Sequence, residues 1–285
     1  MSVLAAQRTP EEIARASKSS FLVSFGVLPP ARRRALTAIY AFCRVADDAA
    51  DDAVNAAEGR ERLRFWRAEL ERAASGAATT PVGEGIAAAI RGHGVDPGHL
   101  HAVLDGVEMD VDGRDFADFA ALLAYCDKVA GAVGLACLPV FGVRGGAAQR
   151  YAVALGRALQ LTNIARDLHA DARQGRCYVP RAWLAEAGVD RAVLAALDGA
   201  RSAGVAAVLD RLVGAAREFF AAAQGELAQV EEPRLLVAPE TMAAVYRALL
   251  DKIAAAGAAG VFGRRLRVPA WRKAWIAWQT RRRLQ

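Results

Sequence analysis

The stretch QLTNIARDLHAD, Gln160–Asp171, decides the fold. Leu161, Ile164, Ala165 and Leu168 recur at three- and four-residue spacing, the period of a helix packed against a core. The polar residues Gln160, Asn163, Asp167 and Asp171 stand at offsets 0, 3, 7 and 11. On a helix these four share an arc of about 60–80°. The stretch is therefore an apolar helix carrying one narrow polar stripe.

A second stretch repeats the device. In YAFCRVADDAAD, Tyr40, Arg44, Asp47 and Asp51 stand at offsets 0, 4, 7 and 11. Asp48 lies roughly 60–100° off the centre of this face, which makes it a second-rank member. Asp52 points elsewhere and is expected in solvent. Two carboxylate stripes facing one another inside a helical bundle suit hard divalent cations, which prefer oxygen ligands and grip diphosphates. Such cations act as Lewis acids on a departing diphosphate. The bland reading is that acidic clusters on helices face solvent, and DLHAD alone is a weak signal. Matched spacing, with each stripe continuing into amide or aromatic residues, favours the metal and diphosphate reading.

The helical period extends along the whole chain of 285 residues, and strand alternation is almost absent. Thr9-Pro10-Glu11-Glu12 reads as a capped start to a short helix ending near Ser17. Pro30 starts a long helix that runs past Asp52. Further helices are expected over about Glu58–Ala74, through Leu104, Val107 and Val111, over Phe116–Phe141, and over Ala147–Asp171. Others should cover Gly199–Gln229, Pro239–Ala255 and Pro269–Arg283, with a short connector after Pro180. Ser75 through Gly85 reads as a loop. No linker is long enough to divide the chain, so residues 1–285 are expected to form one all-α bundle.

Hydrophobic residues make up 54% of the chain, enough for a sizeable core. No uninterrupted apolar run of about 18–20 residues is present, so no membrane span is expected. The first twenty residues lack a signal-peptide core, and a cytoplasmic location is the expectation. The four cysteines, Cys43, Cys126, Cys137 and Cys177, are far apart and read as free buried thiols. The histidines make no zinc pattern. His169 falls off the face of the second stripe and is expected in solvent. The net charge of +6 suits anionic partners. No nucleic-acid module signature accompanies it, so nucleic acid is not an expected partner.

The last segment, 269–285, is a basic helix with Trp271, Trp275 and Trp278 at offsets 0, 4 and 7. It suits a membrane interface, with peripheral contact on the inner membrane face. It equally suits tryptophans that pack the helix on the bundle.

These motifs resemble the squalene/phytoene synthase family of head-to-head prenyltransferases, from about Ser17 to Arg267. YAFCRVADDAAD resembles the first aspartate-rich motif, and ALQLTNIARDLHADARQGRCYVP the second and more specific one. LLAYCDKVAGAVG resembles the segment that lines the prenyl cavity. The resemblance implies an isoprenoid synthase bundle around a central apolar cavity, with several Mg²⁺ ions and prenyl diphosphate substrates. It implies metal contacts by Asp47, Asp48, Asp51, Asn163, Asp167 and Asp171. It places Tyr40, Arg44, Arg166, Tyr178 and Gln160 around the diphosphates, and Phe21, Tyr125, Ala130, Gly134 and Tyr246 along the cavity.

The implied reaction ionises one allylic diphosphate. The C2=C3 bond of a second molecule attacks the cation, and proton loss closes a cyclopropane. SSFLVSFGVLPPARRRALTAIYAFCR, GVEMD at Gly106–Asp110 and VFGRRLRV at Val261–Val268 resemble bacterial members of the hopanoid pathway. Those join two farnesyl diphosphates and stop at presqualene diphosphate without NADPH. Two geranylgeranyl diphosphates giving phytoene is the alternative, as is a squalene or dehydrosqualene product. Leu22 and Val23 depart from the tyrosine common in relatives, and DLHAD has one carboxylate fewer than their DVGED. A phosphate-binding arginine is expected among Arg264, Arg265 and Arg267. A terpene cyclase would take one substrate, and a head-to-tail synthase would carry a second DDxxD. A non-enzymatic, basic, membrane-binding scaffold is the reading from another class. The sequence does not fix the oligomeric state.

Overall fold

Local chemistry sets the helix ends. Thr9 and Glu12 form a reciprocal capping box: the Thr9 amide donates to Glu12 Oε2 at 2.8 Å, and the Glu12 amide donates to Thr9 Oγ1 at 3.3 Å. Asn55, Asp118 and Ser202 cap three later helices through their side chains. The computed structural model describes residues 7–17 and 28–284. Phe21, Leu22 and Val23 lie outside the described residues.

The helices are α1 (Pro10–Ser17), α2 (Pro30–Asp51), α3 (Ala56–Ser75), α4 (Pro81–His93) and α5 (Pro97–Val111). Then come α6 (Phe119–Cys126), a π-helical segment (Asp127–Gly131), α7 (Ala132–Phe141) and α8 (Gly146–Arg173). The series closes with α9 (Arg181–Glu186), α10 (Arg191–Ala195), α11 (Ala203–Leu227), α12 (Val237–Gly263) and α13 (Ala270–Leu284). No strand occurs among the described residues.

Helix α8 is the axis of the bundle. It packs against α11, α12, α7 and the π segment, while α2 packs against α3, α4, α5 and α7. The buried apolar residues form one continuous cluster, with Trp66, Phe42 and Tyr151 among its largest members.

Two expectations need correction. Residues 81–85 are helical rather than loop. Gly83 and Gly85 are there for closeness: a Cβ on Gly85 would lie 2.8 Å from Ala38 Cβ, and one on Gly83 would strike Glu69. His169 is buried rather than solvated. It sits off the stripe, as expected, but that side of α8 faces protein: its Nδ1 meets Leu194 O at 2.9 Å and its ring stacks on Phe262. The rod Phe119–Phe141 is long and apolar enough to cross a membrane by length and composition alone. It nevertheless forms a core wall. Its faces meet α2, α5 and α8, and the charged residues inside it are paired, Asp127 with Arg157 and Lys128 with Asp105.

The π segment widens this rod where it crosses α8, and such bulges recur at functional sites. Gly156 permits the crossing. A Cβ there would stand 2.6 Å from Gly131 N and 2.8 Å from Ala130 C. Arg157, the next residue, donates to both Asp127 carboxylate oxygens at 2.6 and 2.7 Å and fixes the register.

Candidate functional site

Both acidic stripes fall in the final turns of their helices, Asp47 and Asp51 before the end of α2, Asp167 and Asp171 before the end of α8. Carboxylates there oppose the helix dipole, and α2 has no basic residue in its last turn to offset them. Stability alone does not favour this placement.

The structure brings the two stripes to one polar pocket of about 250 Å³. Asp47, Asp51, Asp167, Asp171, Gln160, Asn163, Arg166, Tyr125 and Tyr178 line it. An apolar chamber of about 1080 Å³ adjoins it, with Asp47, Gln160, Asn163 and Arg166 on the walls of both. Tyr40, Arg44, Asp48, Ala130, Gly134 and Tyr246 line the chamber, together with Val129, Val133, Leu138, Phe141, Leu155 and Leu159. Every described residue that the sequence reading assigned to the site is thus at the mouth or in the chamber.

Each stripe leans on arginine. Arg44 pairs with Asp48 on α2, and Arg176 donates to Asp51 Oδ1 at 2.8 Å. Arg166 forms a two-pronged pair with Asp167, its Nε 2.9 Å from Oδ1, and also hydrogen-bonds Tyr246. Arg265 reaches the same Asp167 at 3.1 Å, which brings one of the three C-terminal arginines to the mouth.

Asp47 is exposed to the solvent of the mouth but is closely surrounded by protein on its other sides. This desolvation is the main cause that pushes its carboxyl up to about 7, against Arg44 and with help from Asp51, Asp110 and Asp48. Asp171 is likewise pushed up to about 7, by burial first and then by Asp167, with Arg176 and Arg166 opposing.

Sequence reading missed two residues, Asp110 and Arg176, and found Arg265 only as one of three candidates. Asp110, from α5, accepts the Tyr178 hydroxyl on Oδ1 at 2.7 Å and the Tyr125 hydroxyl on Oδ2 at 2.9 Å. Burial raises its carboxyl above the ordinary range, and the two hydroxyls oppose that shift. Tyr125 and Tyr178 stack at 5.3 Å, and Phe116 packs on both. The GVEMD motif contains Asp110, but no stripe marks it, because its partners lie 15 and 68 residues away.

Among the described residues, no three acidic, histidine or cysteine side chains stand close enough to hold one ion. The carboxylates engage arginines instead of converging. The donor set still fits hard cations. It is all oxygen, the carboxyls of Asp47 and Asp171 are raised by burial and mutual repulsion, and Mg²⁺ needs only one or two carboxylates apiece beside its waters.

An all-α bundle that opens an apolar chamber onto such a mouth is an isoprenoid synthase. The chain belongs to the squalene/phytoene synthase family, whose family model matches residues 14–272. The chemistry of that family is head-to-head condensation of isoprenyl diphosphates, so the scaffold reading is set aside. The chain is 40% identical to a presqualene diphosphate synthase of Zymomonas mobilis, over 86% of this chain and 83% of that one. It is 36% identical to a phytoene synthase of Pseudescherichia vulneris, over 87% and 82%. Among solved structures, a dehydrosqualene synthase with a bound ligand superposes with a TM-score of 0.83 at 26% identity, covering 96% of this chain and 95% of the other.

Proposed function

We propose that the chain condenses two farnesyl diphosphates head to head and stops at presqualene diphosphate. The observation that carries this reading is the continuity of an apolar chamber with a mouth rich in carboxylates and arginines, joined through Asp47, Gln160, Asn163 and Arg166. A prenyl tail belongs in the first and a diphosphate in the second.

Arg44, Arg166, Arg176 and Arg265 present guanidinium groups to the departing diphosphate. Gln160 and Asn163 orient it with amide donors. The Asn163 Oδ1 atom is buried without a hydrogen-bond partner among the described residues, as expected of a group awaiting a ligand. Asp47, Asp48, Asp51, Asn163, Asp167 and Asp171 would hold Mg²⁺, which supplies Lewis-acid neutralisation of the leaving group when bound. The apolar walls keep water from the allylic cation, and the faces of Tyr40 and Tyr246 stabilise it. Asp110 fixes the hydroxyls of Tyr125 and Tyr178. No nicotinamide reductant is required for this step. The location that accompanies it is the cytoplasm, at the inner face of the membrane.

The relative named phytoene synthase favours a second reading, in which the same chamber takes two geranylgeranyl diphosphates. Product analysis with each substrate and Mg²⁺, with and without NADPH, separates the two. Presqualene diphosphate from the fifteen-carbon substrate without reductant supports the proposal. Phytoene from the twenty-carbon substrate alone overturns the substrate and keeps the family.

A further inference from the structure

Helix α13 has two faces of opposite character. Lys273, Ile276, Thr280 and Arg283, at offsets 0, 3, 7 and 10, face the bundle. Lys273 lines the chamber, Ile276 packs on the core and Thr280 is buried. Arg283 donates to Glu240 Oε2 at 2.8 Å. Glu240 is fully buried and also accepts from the Tyr151 hydroxyl and the Gln224 amide, so this end of α13 is anchored.

The other face carries Trp271, Trp275, Trp278 and Arg282, at offsets 0, 4, 7 and 11. The tryptophans are 73%, 52% and 49% exposed, so they do not pack the helix onto the bundle. Trp275 and Trp278 stack on each other at 5.0 Å, and the Arg282 guanidinium lies over Trp278 at 4.8 Å. At about 250 Å² per indole, this leaves roughly 400 Å² of aromatic surface bare, the size of the largest apolar patch on a typical monomer, which is often functional.

We infer that this face is a docking surface for an anionic lipid bilayer. The partner follows from charge. No acidic residue occurs from Lys252 to Gln285, while Arg272, Arg281 and Arg282 share the helix with the tryptophans. Indole rings insert at the headgroup level, and arginines meet lipid phosphates beside them. The chamber borders this helix through Lys273, so docking brings the cavity wall beside the membrane. The prenyl tails of the condensation product then pass into lipid while its diphosphate stays at the headgroup level, and this delivery role rests on the proposed reaction.

The test is sedimentation of the full chain with vesicles of phosphatidylcholine alone, or mixed equally with phosphatidylglycerol. Tryptophan quenching by brominated lipid is recorded in parallel. The expected result is binding to the anionic vesicles with quenching of the exposed indoles. The joint variant Trp271→Ala, Trp275→Ala and Trp278→Ala should bind about tenfold more weakly or worse, with an unchanged melting curve. If that variant does not fold, quenching in the unaltered chain decides the matter, because Trp66 and Trp183 are buried and give only background. Absence of quenching overturns the inference, as does equal binding by the folded variant. Binding that high salt abolishes, with no quenching, is electrostatic adsorption without insertion of the indoles and also overturns it. Neither measurement needs turnover, so an inactive chain that is still quenched refutes the reaction and not the docking.

Discussion

Replacing Asp110 by asparagine removes the acceptor shared by two hydroxyls at the mouth. Asp110 accepts from the Tyr178 hydroxyl at 2.7 Å and from the Tyr125 hydroxyl at 2.9 Å. Hydrogen bonds to a charged partner contribute about 1.5–3 kcal/mol each. The substituted amide keeps one acceptor oxygen and turns an NH₂ towards the other hydroxyl. The loss is therefore about 2–3 kcal/mol, or roughly 30- to 150-fold in kcat/KM if the hydroxyls must be in place at the transition state. Initial rates of diphosphate release from farnesyl diphosphate measure it. Tyr178→Phe alone should cost about tenfold, and the double variant should fall little below Asp110→Asn, because the two residues act as one unit. Multiplicative losses in the double variant would refute the coupling. An Asp110→Asn variant within about threefold of the unaltered chain, with a normal melting curve, would refute the role.

Asp47→Asn and Asp167→Asn should each lose about 10²-fold or more in rate, as loss of leaving-group neutralisation demands. Asp47→Asn should also raise the melting temperature at pH 8. Burial lifts the folded-state pKa of Asp47 to about 7, so its ionised form costs stability above that pH, and the amide does not. Gly156→Ala should cost about 2–3 kcal/mol in denaturant unfolding. The new Cβ meets backbone of the π segment at 2.6 Å. Glu69→Gln should cost about 3 kcal/mol at neutral pH. There the carboxylate accepts two amides and two hydroxyls of Thr79 and Thr80 and pairs with Arg72. These bonds, working against burial, hold its carboxyl below the ordinary glutamate range. That stabilisation is complete above the unfolded value and fades as pH falls through the folded one. The gap between unaltered and variant melting curves should therefore close on acidification, and a gap that widens would refute the assignment.

The fold was legible because its signals are local. Each helix announces itself within about four turns, through the spacing of apolar residues and the caps. The exceptions show where that logic stops. Pro81–His93 begins inside a stretch rich in glycine, which reads as loop. Gly83 and Gly85 are small because Glu69 and Ala38 press against them, and that pressure comes from other helices. The length and hydropathy of Phe119–Phe141 do not tell a core wall from a span. The pairing of Asp127 with Arg157, 30 residues on, makes it a wall.

The same boundary runs through the site. Tyr40, Arg44, Asp47 and Asp51 share one helix face, and Gln160, Asn163, Asp167 and Asp171 another, so one period exposes each group. Asp110, Arg176 and Arg265 belong to no stripe. They reach the mouth only when α5, the turn after α8 and the chain after α12 are brought together. His169 shows the converse. The period correctly turned it away from the stripe, but whether the opposite side of α8 meets water depends on Leu194 and Phe262. Helix α13 lies between these cases. Its two faces are written in one alternation, 271, 275, 278 and 282 against 273, 276, 280 and 283. The period separates the faces without saying which is inward. The buried Glu240 carboxylate decides that, because Arg283 must turn towards it, and the tryptophans are left outside as a consequence.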